Sequence, residues 1–229
     1  VVLVGSTNVK TADMAQVYIL HRDIAPGPAV HSGADSAVCG NCPHRGSVVD
    51  GRNTGRTCYV LVFQGPRSVW ESYRAGRYPV ATLAEVRARL GGKPVRLGAY
   101  GDPAALPAFV SAGLVDGARK HTGYTHQWRG AGALLRDVCM ASVDTPAEAA
   151  EAAGAGWRYF RVAGAEGTLA GEIVCPASEA AGKVTTCDRC GLCNGARPGD
   201  RRKNIVILAH GNGAAAIRAR AVAEGLTGR

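Results

Sequence analysis

Short apolar runs set off by turn residues organise the first part of the chain, and a regular alternation of strand-like and helix-like runs organises the rest. Residues 1–4 and 14–20 read as strands, and the continuous apolar run 58–63, opened by Cys58, reads as a buried strand. Residues 33–57, rich in Gly, Asn, Ser, Pro and Asp, read as loop. Residues 68–73 predict a short helix, and Thr82 with Glu85 forms a capping box for a helix that runs to Leu90 and stops at Gly91-Gly92. Beyond residue 94, strands are expected at 95–100, 121–127, 138–143, 159–162, 172–174 and 204–209. Helices are expected at 104–115, 132–136 and 214–224, and Thr145-Pro146-Ala147-Glu148 opens an alanine-rich helix that ends at Gly154. Element pairs recur on the scale of a βα unit, which predicts a single α/β domain over 1–229. Its sheet is expected to be parallel, either open or curled into a partial or irregular barrel.

Function in such sheets gathers at the carboxyl ends of the strands. The predicted ends carry Asp102, Tyr124-Thr125-His126, Ser142 with Asp144, Arg161, Cys175 and His210. Taken singly, each has an ordinary explanation as a helix-start or loop residue. Together they predict a mouth in which Asp102, His126, Asp144, Arg161 and His210 shape a substrate pocket. Gly211 and Asn212, after the last strand, add a weak anion-binding candidate at a helix start.

Cysteines change the picture most. Seven of the eight fall into two groups with metal-ligand spacing. The later group, within 175–203, joins Cys175 to Cys187-x2-Cys190-x2-Cys193 and supplies four thiolates, a complete ligand set. A third cysteine after only two more residues suits an iron-sulfur cluster better than a single tetrahedral zinc, which usually takes its second ligand pair from a distant turn. The earlier group, within 33–58, is Cys39-Gly40-Asn41-Cys42-Pro43-His44 with Cys58. His44 or Cys139 could supply a fourth ligand; if neither does, one iron stays open to a small molecule. Cys139 also reads as a small buried hydrophobe beside Val138 and Met140. The cofactor expected is one or two iron-sulfur clusters, with zinc as the alternative and disulfides a distant third.

With 46% hydrophobic residues in 229, the chain can bury a core without disulfides. It contains no apolar run long enough to span a membrane. Clustered C-x2-C pairs and a start, Val1-Val2-Leu3-Val4-Gly5, without signal-peptide character predict a reducing cytoplasm. The formal charge of +9 raises the expectation of an anionic small-molecule or nucleic-acid partner, although ligating thiolates would offset part of it. The densest basic stretch, from Arg197 to Lys203, follows the late cysteines. Oligomeric state is not legible.

Through Cys39-Gly40-Asn41-Cys42, Thr57-Cys58-Tyr59-Val60, Gly98-Ala99-Tyr100-Gly101-Asp102-Pro103, Tyr124-Thr125-His126-Gln127-Trp128 and the late cysteine run, the chain resembles a family of cysteine-rich proteins encoded by bacteriophages and prophages. That resemblance implies a source, the cytoplasm of an infected or lysogenic bacterium, and no activity. Strands ending Gly101-Asp102-Pro103 and Ser142-Val143-Asp144, with cysteines near the start of a βα series, are also similar to radical S-adenosylmethionine enzymes. This second resemblance implies a partial barrel, a three-cysteine cluster with one open iron, and S-adenosylmethionine as co-substrate. The cysteine loop departs from it, since Cys58 stands far from Cys39-x2-Cys42, and no glycine-rich motif for the methionine moiety is evident. The competing expectations are therefore an iron-sulfur redox or radical enzyme and a zinc-stabilised nucleic-acid-binding protein without catalysis. A structural protein stapled by its metals is a third.

Overall fold

A computed structural model describes residues 1–226 except 7, 165 and 212, with the backbone alone at Ala133. Eleven strands are present among them: β1 (Val2–Val4), β2 (Ala15–Tyr18), β3 (Ser47–Val49), β4 (Arg52–Thr54), β5 (Val95–Tyr100), β6 (His121–Thr122), β7 (Tyr124–Thr125), β8 (Met140–Val143), β9 (Tyr159–Ala163), β10 (Glu172–Val174) and β11 (Asn204–Leu208). One sheet has the order β1-β2-β5-β6, and a second, entirely parallel, has the order β10-β11-β9-β8-β7. β1 is antiparallel to β2, and every other pairing in the first sheet is parallel. β3 and β4 form a separate hairpin.

Gly123 joins the two sheets, because the strand segment 121–125 pairs with β5 before it and with β8 after it. Its carbonyl accepts from Met140 N–H (2.9 Å) and its N–H donates to Cys193 O (3.0 Å). The parallel strands β2, β5, β6 with β7, β8, β9 and β11 thus neighbour one another in chain order, and β10 lies outside β11 at the edge. Sequential order of this kind places the loops that follow the strands side by side at one end of the sheets.

Period-2 alternation buries both faces of the second sheet. Ala141, Val143 and Tyr159 pack with Ala149 and Ala152 of the helix Pro146–Gly154 and with Trp128 and Trp157. Met140, Phe160, Val162, Ile205 and Ile207 point the other way and meet Cys175, Cys187 and Cys193. The first sheet contributes Val17, Val95 and Leu97 to a core that also holds Cys139. No described helix is long and apolar enough to cross a membrane.

Most expected elements form, including the capping box of Thr82 and Glu85 and the left-handed Gly91 (φ 54°) that ends its helix. The expected strand at 58–63 does not. Its backbone is held by polar groups instead of a ladder: Thr57 and Cys58 N–H donate to His44 O, and Arg56 donates to the carbonyls of Cys58 and Val60. Val60 and Val62 still pack on the core while Phe63 is exposed, so the apolar run reports partial burial without pairing. The expected loop 33–57 is more ordered than its composition suggests, with helical turns at Ser36–Cys39 and Pro43–Arg45 and the β3–β4 hairpin.

Candidate metal and thiol site

Cys39, Cys42 and Cys58 all lie in the long connection between β2 and β5, which folds over the carboxyl ends of the central strands. Asp102 pins this arrangement. Its N–H donates to Val38 O (2.7 Å), and its carboxylate accepts from Ala104 N–H (2.9 Å) and His126 N–H (2.8 Å), tying together the loops after β2, β5 and β7. Gln127 clamps the Cys39-Gly40-Asn41-Cys42 turn, donating to Cys39 O (3.3 Å) and accepting from Asn41 N–H (3.2 Å). Gly40 is required there: with φ 57°, a Cβ would sit 2.5 Å from the Gln127 amide carbon.

Burial pushes the Cys39 and Cys42 thiols up to about 12, with Cys58 and Asp102 adding to the rise at both. The thiols therefore lie close enough to feel one another, and a ligated cation is what would hold them as thiolates. Neither candidate fourth ligand is directed to them. Cys139 is fully buried behind Gly123 in the core, and His44 turns its Nδ1 to Thr57 Oγ1 (2.7 Å) and its Nε2 to Asp144 Oδ1 (3.0 Å).

His44, His126 and Asp144 form a second cluster beside the thiols. The two imidazole rings meet edge to face at 5.3 Å, and Arg220, reaching back from the last helix, approaches Asp144 Oδ2 at 3.5 Å. Burial pushes Asp144 up, but the His44 hydrogen bond and the charges of His44, His126 and Arg220 outweigh it and hold the carboxyl below its ordinary value. Burial lowers His126 to about 4 and raises Asp102 above the usual carboxylate value. Among the described residues this is the one group of three His, Cys, Asp or Glu side chains whose donor atoms all lie within 4.8 Å of one another. A cleft of about 810 Å³ opens next to it, lined by Gly40, Asn41, His126, Trp128, Arg129 and Ser142 among others. Arg129 stacks over the Trp128 ring (4.2 Å) and pairs with Glu148 and Glu151.

The late cysteines lie elsewhere. Cys175, Cys187, Cys190 and Cys193 line one small pocket of about 40 Å³ with Tyr124, Phe160 and Ile205. The segment carrying the last three packs under the amino ends of the strands: Lys120 donates to Arg189 O, Ala196 N–H to Arg136 O, and Arg158, just before β9, to Leu192 O and Lys203 O. Cys175 follows β10 as expected, but the run after it turns away from the mouth.

Two other expected site residues are placed apart from it. Arg161 is fully buried on the helix-facing side of β9, where its guanidinium pairs with Glu172 (2.7 Å) and Glu166 and donates to Gly167 O. Period 2 sends it into the layer with Tyr159, where it ties β9 to β10 across β11 and lies apart from the cleft. His210 is exposed after β11, as is Gly211, and Asn212 lies outside the described residues. In the basic stretch, Arg202 folds inward onto Asp200 and Asn194, which leaves Arg197, Arg201 and Lys203 exposed. Thr57 and Gln127 stand in the motifs Thr57-Cys58-Tyr59-Val60 and Tyr124-Thr125-His126-Gln127-Trp128 but were given no role there, and nothing in the pattern marks Arg220.

Comparison with protein families, curated proteins and solved structures gives no match. The site is therefore read from its own chemistry.

Proposed function

We propose that this chain is an iron-sulfur redox enzyme, of the radical type that one resemblance implied, with its reactive cluster held by Cys39, Cys42 and Cys58. The observation that carries the reading is that one loop brings Cys39, Cys42 and Cys58 over the carboxyl ends of consecutive parallel strands, and that its residues Gly40, Asn41 and Pro43 line a cleft of about 810 Å³. Three thiolates on a four-iron cluster would leave one iron open, and an open position is where a metal centre engages a small molecule. S-adenosylmethionine belongs to the same reading as co-substrate.

Cysteine spacing supports iron over zinc. The closely spaced Cys187-x2-Cys190-x2-Cys193 run suits a cluster better than a tetrahedral zinc, which usually takes its second ligand pair from a distant turn. The late group, with four cysteines around one small pocket, has the ligand count of a closed cluster. This chain's own contribution at the mouth is positional. Asp102 and Gln127 fix the cysteine turn. The net charge of +9, with Arg220 near the mouth, favours an anionic substrate.

Anaerobic purification followed by iron, sulfide and zinc quantification tests the proposal. A brown protein holding iron and sulfide, with iron lowered by Cys39→Ser, is expected. A colourless protein with stoichiometric zinc overturns it.

A further inference from the structure

Two imidazoles and a carboxylate stand together beside the cysteines, on donors the proposed cluster does not use. His44 comes from the turn Pro43–Arg45, His126 follows β7 and Asp144 follows β8. We propose that His44, His126 and Asp144 bind a mononuclear divalent transition-metal ion, separate from any cysteine-held cluster and adjoining the same cleft.

Three features carry this. First, one ligand atom from each residue lies within 4.8 Å of the other two. Metal bonds of about 2.0–2.2 Å set neighbouring nitrogen and oxygen ligands roughly 3–3.5 Å apart, within reach of small side-chain rotations. Second, His126 Nε2 is buried and has no hydrogen-bond partner. A buried ring nitrogen left without a partner is uncommon in a folded protein and calls for one. Third, His44 has the support expected of a metal ligand. Its Nδ1 stands 2.7 Å from Thr57 Oγ1, which fixes the ring while Nε2 turns to Asp144 Oδ1 at 3.0 Å. Without a cation this contact is a hydrogen bond from Nε2–H to the carboxylate; a bound ion would displace that proton, with Thr57 Oγ1 still holding the other ring nitrogen.

The donor set selects the ion. Calcium and magnesium take oxygen ligands, while two imidazoles with one carboxylate suit iron(II), cobalt(II) or zinc and leave further coordination positions open. Because His126 lines the cleft, a small molecule bound there could reach such a position. The site does not rest on the iron-sulfur reading, since none of its ligands is a cysteine.

Cobalt(II) titration of the anaerobically purified protein, after a mild chelator has removed loosely held metal, tests the inference. One equivalent should bind and give weak visible d–d bands without a thiolate-to-cobalt charge-transfer band. His126→Ala and Asp144→Asn should each abolish that equivalent while iron and sulfide contents stay unchanged. Thr57→Val, which deletes only the hydroxyl behind His44, should weaken binding about 10- to 100-fold. It also decides the matter if either ligand variant fails to fold. Absence of binding, a strong thiolate band as the only cobalt signal, or unchanged affinity in Thr57→Val together with the folded ligand variants overturns the assignment. Loss of iron and sulfide in wild type with the cobalt equivalent retained would instead strike the iron-sulfur reading alone.

Discussion

Gly123 is the position at which the assignment of Cys139 to the core is most sharply testable. A Cβ at residue 123 would lie 2.7 Å from Cys139 Sγ, 3.1 Å from Val138 O and 3.2 Å from Leu97 Cδ1. Ordinary contacts between heavy atoms fall near 3.5–4.0 Å, so the sulfur would have to move by roughly 1 Å. It cannot do so cheaply, because Cys139 is 0% and Leu97 2% exposed and Gly123 is hydrogen-bonded on both sides. Overpacking of a filled core costs about 1–3 kcal/mol, and Gly123→Ala should fall near the upper end. Cys139→Ala, a small deletion in the same core, should cost about 1 kcal/mol. In the double variant the shortest contact is gone, so its destabilisation should be smaller than the sum of the two by about 1 kcal/mol. Urea denaturation at fixed metal content measures all three. Strict additivity would refute the packing argument, and loss of iron in Cys139→Ala would refute the placement of this thiol outside the metal site.

Glu172→Gln removes one of the two carboxylates paired with the fully buried Arg161 and should cost about 1–3 kcal/mol, less than Arg161→Met, which takes the guanidinium from both Glu172 and Glu166 and should cost about 3–5 kcal/mol; urea midpoints that rank the other way would contradict a structural role for this cluster. Burial lowers His121 from 6.5 to about 4. The folded state therefore binds fewer protons than the unfolded one across that window, so the stability His121 contributes is complete above pH 6.5 and declines as pH falls toward 4, by roughly 3 kcal/mol in all. His121→Asn should flatten the stability slope between pH 6.5 and 4 in chemical denaturation, and an unchanged slope would remove this account. Cys190→Ser should lower the thermal midpoint more than Cys39→Ser, because the late segment fastens the amino ends of β6, β8 and β9; the reverse order would show that the division of labour between the groups is wrong.

The parallel βα alternation was readable because β5, β8, β9, β10 and β11 are short, largely apolar runs near glycine, proline or a cap, which are local signals; β6 and β7, His121-Thr122 and Tyr124-Thr125, carry no such run. The run 58–63 misled because burial without pairing looks identical in composition to a buried strand. What separates them is where Arg56 and His44 direct their polar groups: these bonds, two to fourteen residues apart along the chain, occupy the backbone that a ladder would otherwise use. Asp102, His126 and Asp144 were legible as strand-end residues, and the fold does bring them to one mouth. Arg161 carried the same signal but points into the helix layer, because the side a strand residue faces is fixed by its register with β8 and β11. His44 was legible only as a ligand of uncertain use, since its partner Asp144 is one hundred residues away.

Ligand spacing and location are independent properties, and the two cysteine groups show why. The late run has the fuller ligand set, yet the strand it follows, β10, sits outside β11 at the sheet edge, so the chain must return beneath the amino ends before β11 can enter. The earlier group has fewer cysteines and a looser pattern, but its loop leaves the carboxyl end of β2, where sequential parallel order gathers the loops after β5, β7 and β8. A reaction needs an accessible centre as well as a bound one. Gly40, Asn41 and Pro43, beside Cys39 and Cys42, line a cleft of about 810 Å³, whereas the late group's pocket, at about 40 Å³, is some twentyfold smaller. The end of the sheet that carries His126 and Asp144 therefore has room for a small molecule beside it, whereas the more conspicuous cysteine run packs toward the amino ends of the strands.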